Sequence, residues 1–220
     1  QTATGWAGRI ADLIRLEVSG QQLATNASLF GNTLFQSAGE TVAYVMGPQG
    51  PVPFEGFGDS GIFLEQRRAF ERIINANYGS VYERGFAEVQ QRAVAAADRV
   101  SGAIASAPEL ATSFPASQLG EQLATVARLI AVRDELAMQR QIFFVAAGGF
   151  DTHDDQAQLQ PGLLAGVSQA ISAFHAATAE LGVADNVTTF TQSDFGRTLT
   201  SNGDGTDHGW GGIQLVVGDA

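Results

Sequence analysis

Trp6, Ile10, Leu13, Ile14 and Leu16 recur near helical spacing in "TGWAGRIADLIRLEVSG", which predicts an opening helix stopped at Gly20. From Asn26 to Gly58 the pattern changes to short β-branched or aromatic runs, "SLFGNTLF" and "TVAYVMG", and then to the Gly/Pro-crowded "GPQGPVPFEGFG". That texture predicts small strands and a long loop. Residues 60–107 carry apolar positions three and four apart and predict two helices with alanine-rich faces suited to close packing. "APELATSFP" interrupts with two prolines. A third long helix is then predicted over "SQLGEQLATVARLIAVRDELAMQ", with Leu119, Leu123, Val126, Ile130 and Leu136 on a core-facing stripe.

After Arg140 the pattern alternates. "QIFFVAAGG", "NVTTFTQ" and "GIQLVVG" read as short continuous apolar strands, and "LLAGVSQAISAFHAATAELG" between the first two reads as an amphipathic helix. Such strands flanking a helix predict a βαβ unit in a parallel or mostly parallel sheet covered on both faces, an α/β protein. The chain divides on this reading into a helical portion, 60–139, and a βαβ portion, 140–220, of one partial domain. It opens on Gln1 and runs out just after a strand-like segment, which predicts a piece of a longer protein.

Composition narrows the partners. There are 23 acidic residues against 12 basic ones, every base is an arginine, and the net charge is −11. Long-range repulsion then opposes nucleic-acid backbones and anionic membrane surfaces as general partners. Without cysteine, disulfides and thiolate metal sites are excluded. The apolar runs fall far short of the ~20 residues that a helical membrane span requires.

In open α/β sheets the ligand crevice lies beyond the carboxyl ends of the strands, and polar residues collect at those ends. "GGFDTHDDQ" follows the first strand: two glycines allow a sharp turn, and Asp151 and His153, two apart, point to one side of an extended chain. Oxygen and imidazole donors suit Zn²⁺, Mn²⁺ or Mg²⁺. A solvated acidic turn is the plainer alternative, and Asp154 and Asp155 fit it, as residues near a helix start. "QSDFGRT" follows the second strand, with Asp194 as a metal ligand and Arg197 as an anion clamp, or the two as a structural salt bridge. "GTDHGWGG" supplies His208, with Asp207 as a supporting residue, while "LTSNGDG" reads as connecting loop. His175, beside an apolar helical face, reads as structural. "NGDGTD" lacks the glycine and distal glutamate of a calcium loop at their positions, and phosphate-loop, dinucleotide and serine-elbow motifs are absent.

"GGFDTH", "SDFGRT" and "GTDHGW", in that order and with "TGWAGRIADL" upstream, resemble the bacterial family numbered 1501 among domains of unknown function, across essentially the whole chain. Through it the chain resembles the alkaline phosphatase superfamily of phosphatases, sulfatases and phosphopentomutase-like enzymes. The resemblance implies a three-layer α/β/α sandwich, here with a helical insertion, and a two-metal cluster at the strand ends. It matches Asp151, Asp194 and His208 to metal-binding positions. The pattern departs where Phe195 replaces a histidine after the aspartate, and where Asp151 and His153 are two apart rather than four. The superfamily's nucleophile strand would precede residue 1, together with a twin-arginine export signal, which implies a periplasmic or secreted protein.

Two functions follow as expectations. One is a metal-dependent hydrolase of phosphate or sulfate esters, small or polymer-borne, using Zn, Mn, Mg or Ca at Asp151, His153, Asp194 and His208. The other is a non-catalytic exported binding or structural protein on the same scaffold.

Overall fold

The computed structural model describes residues 4–52 and 57–218, so residues 53–56 of the Gly/Pro-rich stretch lie outside the described residues. The chain mixes helices with small sheets, an α/β protein, and separates into two compact units. Unit one comprises residues 1–107 and 132–143, and unit two residues 108–131 and 144–220. Among the described residues no helix is long and apolar enough to cross a membrane.

In unit one the opening helix α1 spans Trp6–Ile14. It buries Ala7, Gly8 and Ala11 and leaves Leu13 79% exposed, so the buried face is the small-residue face rather than the large apolar one. The glycines explain the choice. A Cβ at Gly5 would overlap the carbonyl of Leu34, and one at Gly8 the carbonyl of Ser37, so the helix backbone lies directly on that loop.

Strand β1 (Asn26–Ser28) is wholly buried and pairs in parallel with β2 (Tyr44–Val45). On its other side lies β3 (Ile142–Phe144). Gln36, fully buried, donates to the carbonyls of Ala27 and Ile142 and so links these two strands through a side chain. β1 takes in only Ser28 of "SLFGNTLF" and otherwise precedes that run, and β2 takes only "YV" of "TVAYVMG". The two predicted helices are α2 (Gly61–Ile74) and α3 (Val81–Ser106), the second opened by Ser80, whose hydroxyl accepts from the Tyr82 amide.

Unit two is built on α4 (Gln118–Ala131) and α5 (Gln156–Glu180). Ser117 caps α4 by accepting from the Gly120 amide, and Leu123, Val126 and Ile130 of the predicted stripe are buried. The helix stops at Ala131 rather than continuing through Leu136, and turns occupy the next residues. α5 starts seven residues earlier than its apolar pattern indicates, ahead of Pro161. The proline withholds a hydrogen bond from the carbonyl of Ala157, an exposed residue.

The strands after α5 depart from the predicted parallel arrangement. β4 (Thr189–Phe190) pairs antiparallel with β7 (Val216–Val217), not with β3. Between them, "GRTLTS" and "TDHG" form an antiparallel hairpin of β5 (Gly196–Ser201) and β6 (Thr206–Gly209), where the sequence reading had a connecting loop. Thr198, Leu199 and Thr200 favour extended chain, and Asn-Gly and Asp-Gly in the turn favour reversal. The hairpin is the element that assembles the site.

Candidate metal centre

The backbone leaving β3 is held before it reaches the site. Gln122, wholly buried on α4, accepts from the Ala146 amide at 2.9 Å and donates to the Ala146 carbonyl at 3.1 Å. This amide side chain does for Ala146 what a neighbouring strand would do. Gly149 follows with φ +92°, a region L-residues avoid, and turns the chain so that Phe150, Asp151, Thr152 and His153 meet the hairpin.

The hairpin docks through its turn. A Cβ at Gly205 would overlap the carbonyls of both His153 and Thr152, so only glycine permits the contact. Asn202 donates to the His153 carbonyl at 3.1 Å, the amide of Gln156 donates to the Asp204 carbonyl, and Thr206 donates to the Gln156 side chain. The turn therefore fastens to both the 152–153 backbone and the start of α5. Asp155 is the residue before α5, with φ 52° and no side-chain cap.

Three side chains converge on Asp151. Its Oδ1 lies 2.7 Å from His208 Nε2, 2.9 Å from His153 Nε2 and 2.9 Å from Arg197 Nη2. His153 turns its other nitrogen, Nδ1, to Asp207 Oδ1 at 3.2 Å. The His208 ring is stacked on Phe195, 4.2 Å away and 6° from parallel, and faces the His153 ring at 5.0 Å. The hydrogen bond from His208 is the largest influence holding the Asp151 carboxyl below its ordinary value; partial desolvation opposes it, and the charges of the two histidines and the Arg197 hydrogen bond reinforce it.

Arg197 sits behind this group with its side chain only 15% exposed. It donates to the carbonyls of Phe150 at 2.7 Å and Thr206 at 2.6 Å as well as to Asp151, which is the salt-bridge arrangement and binds the hairpin to the Gly149 turn. Asp194 is exposed in the segment before β5 and does not join the cluster.

Among the described residues, the acidic and imidazole groups close enough to share an ion are Asp151, His153 and His208, whose ligand atoms all lie within 4.8 Å of one another. Tetrahedral bonds of 2.0–2.1 Å place donor atoms about 3.3 Å apart, so the 2.7–2.9 Å contacts need open by only about half an ångström. Two imidazoles and one carboxylate are donors that suit zinc or manganese, and three protein ligands leave coordination positions open. The half-exposed Asp151, His153 and His208 side chains keep the group accessible.

The sequence patterns at strand ends point to Asp151, His153, Asp194 and His208, and the structure brings together all of these but Asp194. The patterns do not reveal Asn202, Gly205 or Gln156, whose roles arise from hairpin docking; the paired Asn-Gly and Asp-Gly steps are the signal that could have shown a hairpin. The sequence model of a family described as "Protein of unknown function (DUF1501)" matches residues 33–220. No curated protein and no solved structure matches the chain significantly.

Proposed function

We propose, on the premise that this chain belongs to the DUF1501 family, that it carries the metal centre of a divalent-cation-dependent hydrolase of phosphate or sulfate esters. The observation that carries the reading is the meeting of two imidazole Nε2 atoms at one oxygen of Asp151, at 2.7 and 2.9 Å. Asp151, His153 and His208 would hold the cation. When bound, it supplies Lewis-acid polarisation of an ester oxygen and activation of a nucleophile.

The chain's own residues prepare that position. Arg197 fixes the Asp151 carboxylate against the hairpin, so the oxygen that meets the histidines does not wander. Phe195 covers one face of His208 and keeps that imidazole from rotating freely. The same reading takes the alkaline phosphatase-like three-layer scaffold as the parent fold and the periplasm or exterior as the location, both from the resemblance of "GGFDTH", "SDFGRT" and "GTDHGW".

Elemental analysis of the purified full-length protein, paired with aryl phosphate and aryl sulfate hydrolysis, tests the proposal. Stoichiometric zinc, manganese, magnesium or calcium and a turnover abolished by Asp151→Ala are expected. A protein without any of these metals would sink the reading.

A second reading, a non-catalytic exported binding protein on the same scaffold, is favoured by Arg197. Its guanidinium serves two carbonyls and Asp151, a structural use rather than a clamp held open for an anion. Metal bound at stoichiometry with no turnover of either ester would select this reading.

A further inference from the structure

We infer that Asp207, steadied by Asn202, is the positioning residue that holds the Nδ1 proton of His153, so that a cation can take the Nε2 lone pair in place of the contact with Asp151. The inference rests on the metal reading above and concerns how its ligands are held.

The two histidines of the cluster are oriented by different devices. His208 is held by its stack on Phe195, and among the described residues its Nδ1 has no hydrogen-bond partner. His153 is held at both nitrogens, Nε2 toward Asp151 Oδ1 at 2.9 Å and Nδ1 toward Asp207 Oδ1 at 3.2 Å. A neutral imidazole donates its lone pair from one nitrogen and carries its proton on the other. A carboxylate at Nδ1 stabilises the proton there; once a cation separates Nε2 from Asp151, the Asp207 contact alone fixes that proton on Nδ1 and stops the ring from turning over.

Asp207 is itself held. Asn202 Nδ2 lies 3.2 Å from Asp207 Oδ1 and 3.1 Å from the His153 carbonyl, so one amide secures both the carboxylate and the backbone of the histidine it serves. The Asn202 oxygen in turn accepts from the Gly205 amide at 3.0 Å, which fixes that amide within the hairpin turn. Asp207 and His208 are adjacent on β6, so one short strand supplies a cation ligand and the residue that orients another ligand.

Zinc titration calorimetry on the full-length protein, with histidine-labelled nitrogen spectra at alkaline pH, tests the assignment in the wild type, Asp207→Ala and Asp207→Asn. Asp207→Ala is expected to weaken zinc binding by about 10–100-fold. Asp207→Asn, which keeps an oxygen for the Nδ1 proton, is expected to lose less. The Nδ1 signal of His153 should be that of a hydrogen-bonded N–H in the wild type and shift toward a solvent-exposed one in Asp207→Ala. Equal zinc affinity in the wild type and Asp207→Ala overturns the inference, and so do unchanged His153 ring-nitrogen signals. If the wild type binds none of zinc, manganese, magnesium and calcium, the metal reading fails by itself, and the metal-free spectra still decide whether Asp207 engages His153, since an Nδ1 signal unchanged in Asp207→Ala overturns the inference.

Discussion

Arg197 and His208 stand directly opposite one another across the β5–β6 hairpin, and both reach Oδ1 of Asp151, at 2.9 and 2.7 Å. Directly opposed residues of an antiparallel pair share one face of the ladder. That face brings a guanidinium and an imidazole to a carboxylate 46 and 57 positions earlier in the chain. Docking the hairpin and building the site are consequently one event.

Arg197→Met removes a buried guanidinium that serves two carbonyls and a carboxylate. Leaving those acceptors without a donor should lower stability by about 2–4 kcal/mol. Arg197→Lys should recover only part of this, since one ammonium cannot span the same three acceptors as a planar fork. Urea unfolding of the three proteins measures the order.

Gly205→Ala places a methyl group into the carbonyls of Thr152 and His153. The hairpin turn must lift away, with an expected loss of about 1–3 kcal/mol and weaker metal binding. Gly212→Ala meets nothing within 4 Å and should change neither. Similar behaviour of the two variants in thermal melts and zinc titrations would contradict the docking contact.

Gln122→Leu keeps the volume of a fully buried side chain but leaves the Ala146 amide and carbonyl without their partner. A destabilisation of about 2–4 kcal/mol is expected. Hydrogen exchange at the Ala146 amide should accelerate more than exchange within α5, since the lost bond lies on the segment that leads to Asp151.

Glu180, the last residue of α5, accepts from the Thr112 hydroxyl and from the amides of Ala111 and Thr112. These bonds, the Thr112 hydroxyl first, hold its carboxyl below the ordinary 4.5, against a smaller effect of burial. Its folded value is the lower one, so its contribution to stability is complete above pH 4.5 and fades as the pH falls through the depressed folded value. Glu180→Gln should therefore flatten the acid limb of a stability-versus-pH curve and leave its shape near neutrality unchanged. An acid limb of equal steepness in both proteins would refute the assignment.

Local patterns carried much of the architecture. Apolar positions three and four apart announce α2, α3 and α4, because a helix is stabilised by contacts among near neighbours and by its own caps. They announce α1 as well but not its buried face: Ala7, Gly8 and Ala11 are covered, because Gly5 and Gly8 let the backbone itself approach the 34–38 loop. They also overlook the hairpin, because "LTSNGDG" is polar and short, and its strands are specified by pairing with each other rather than by an apolar period.

The sequence by itself determined the helical segments, the absence of thiolate chemistry, and the candidate donors Asp151, His153 and His208, with Asp194 offered beside them, near the ends of apolar runs. Only the tertiary structure decided that these three meet while Asp194 stays apart, and that Arg197 is spent on holding the turn. The reason is distance along the chain. The contacts that converge on Asp151 close loops of 46 and 57 residues, and whether such loops close depends on Gly205 fitting against His153 and on Gln122 gripping Ala146. Those fits are properties of shape, which no spacing within a motif encodes.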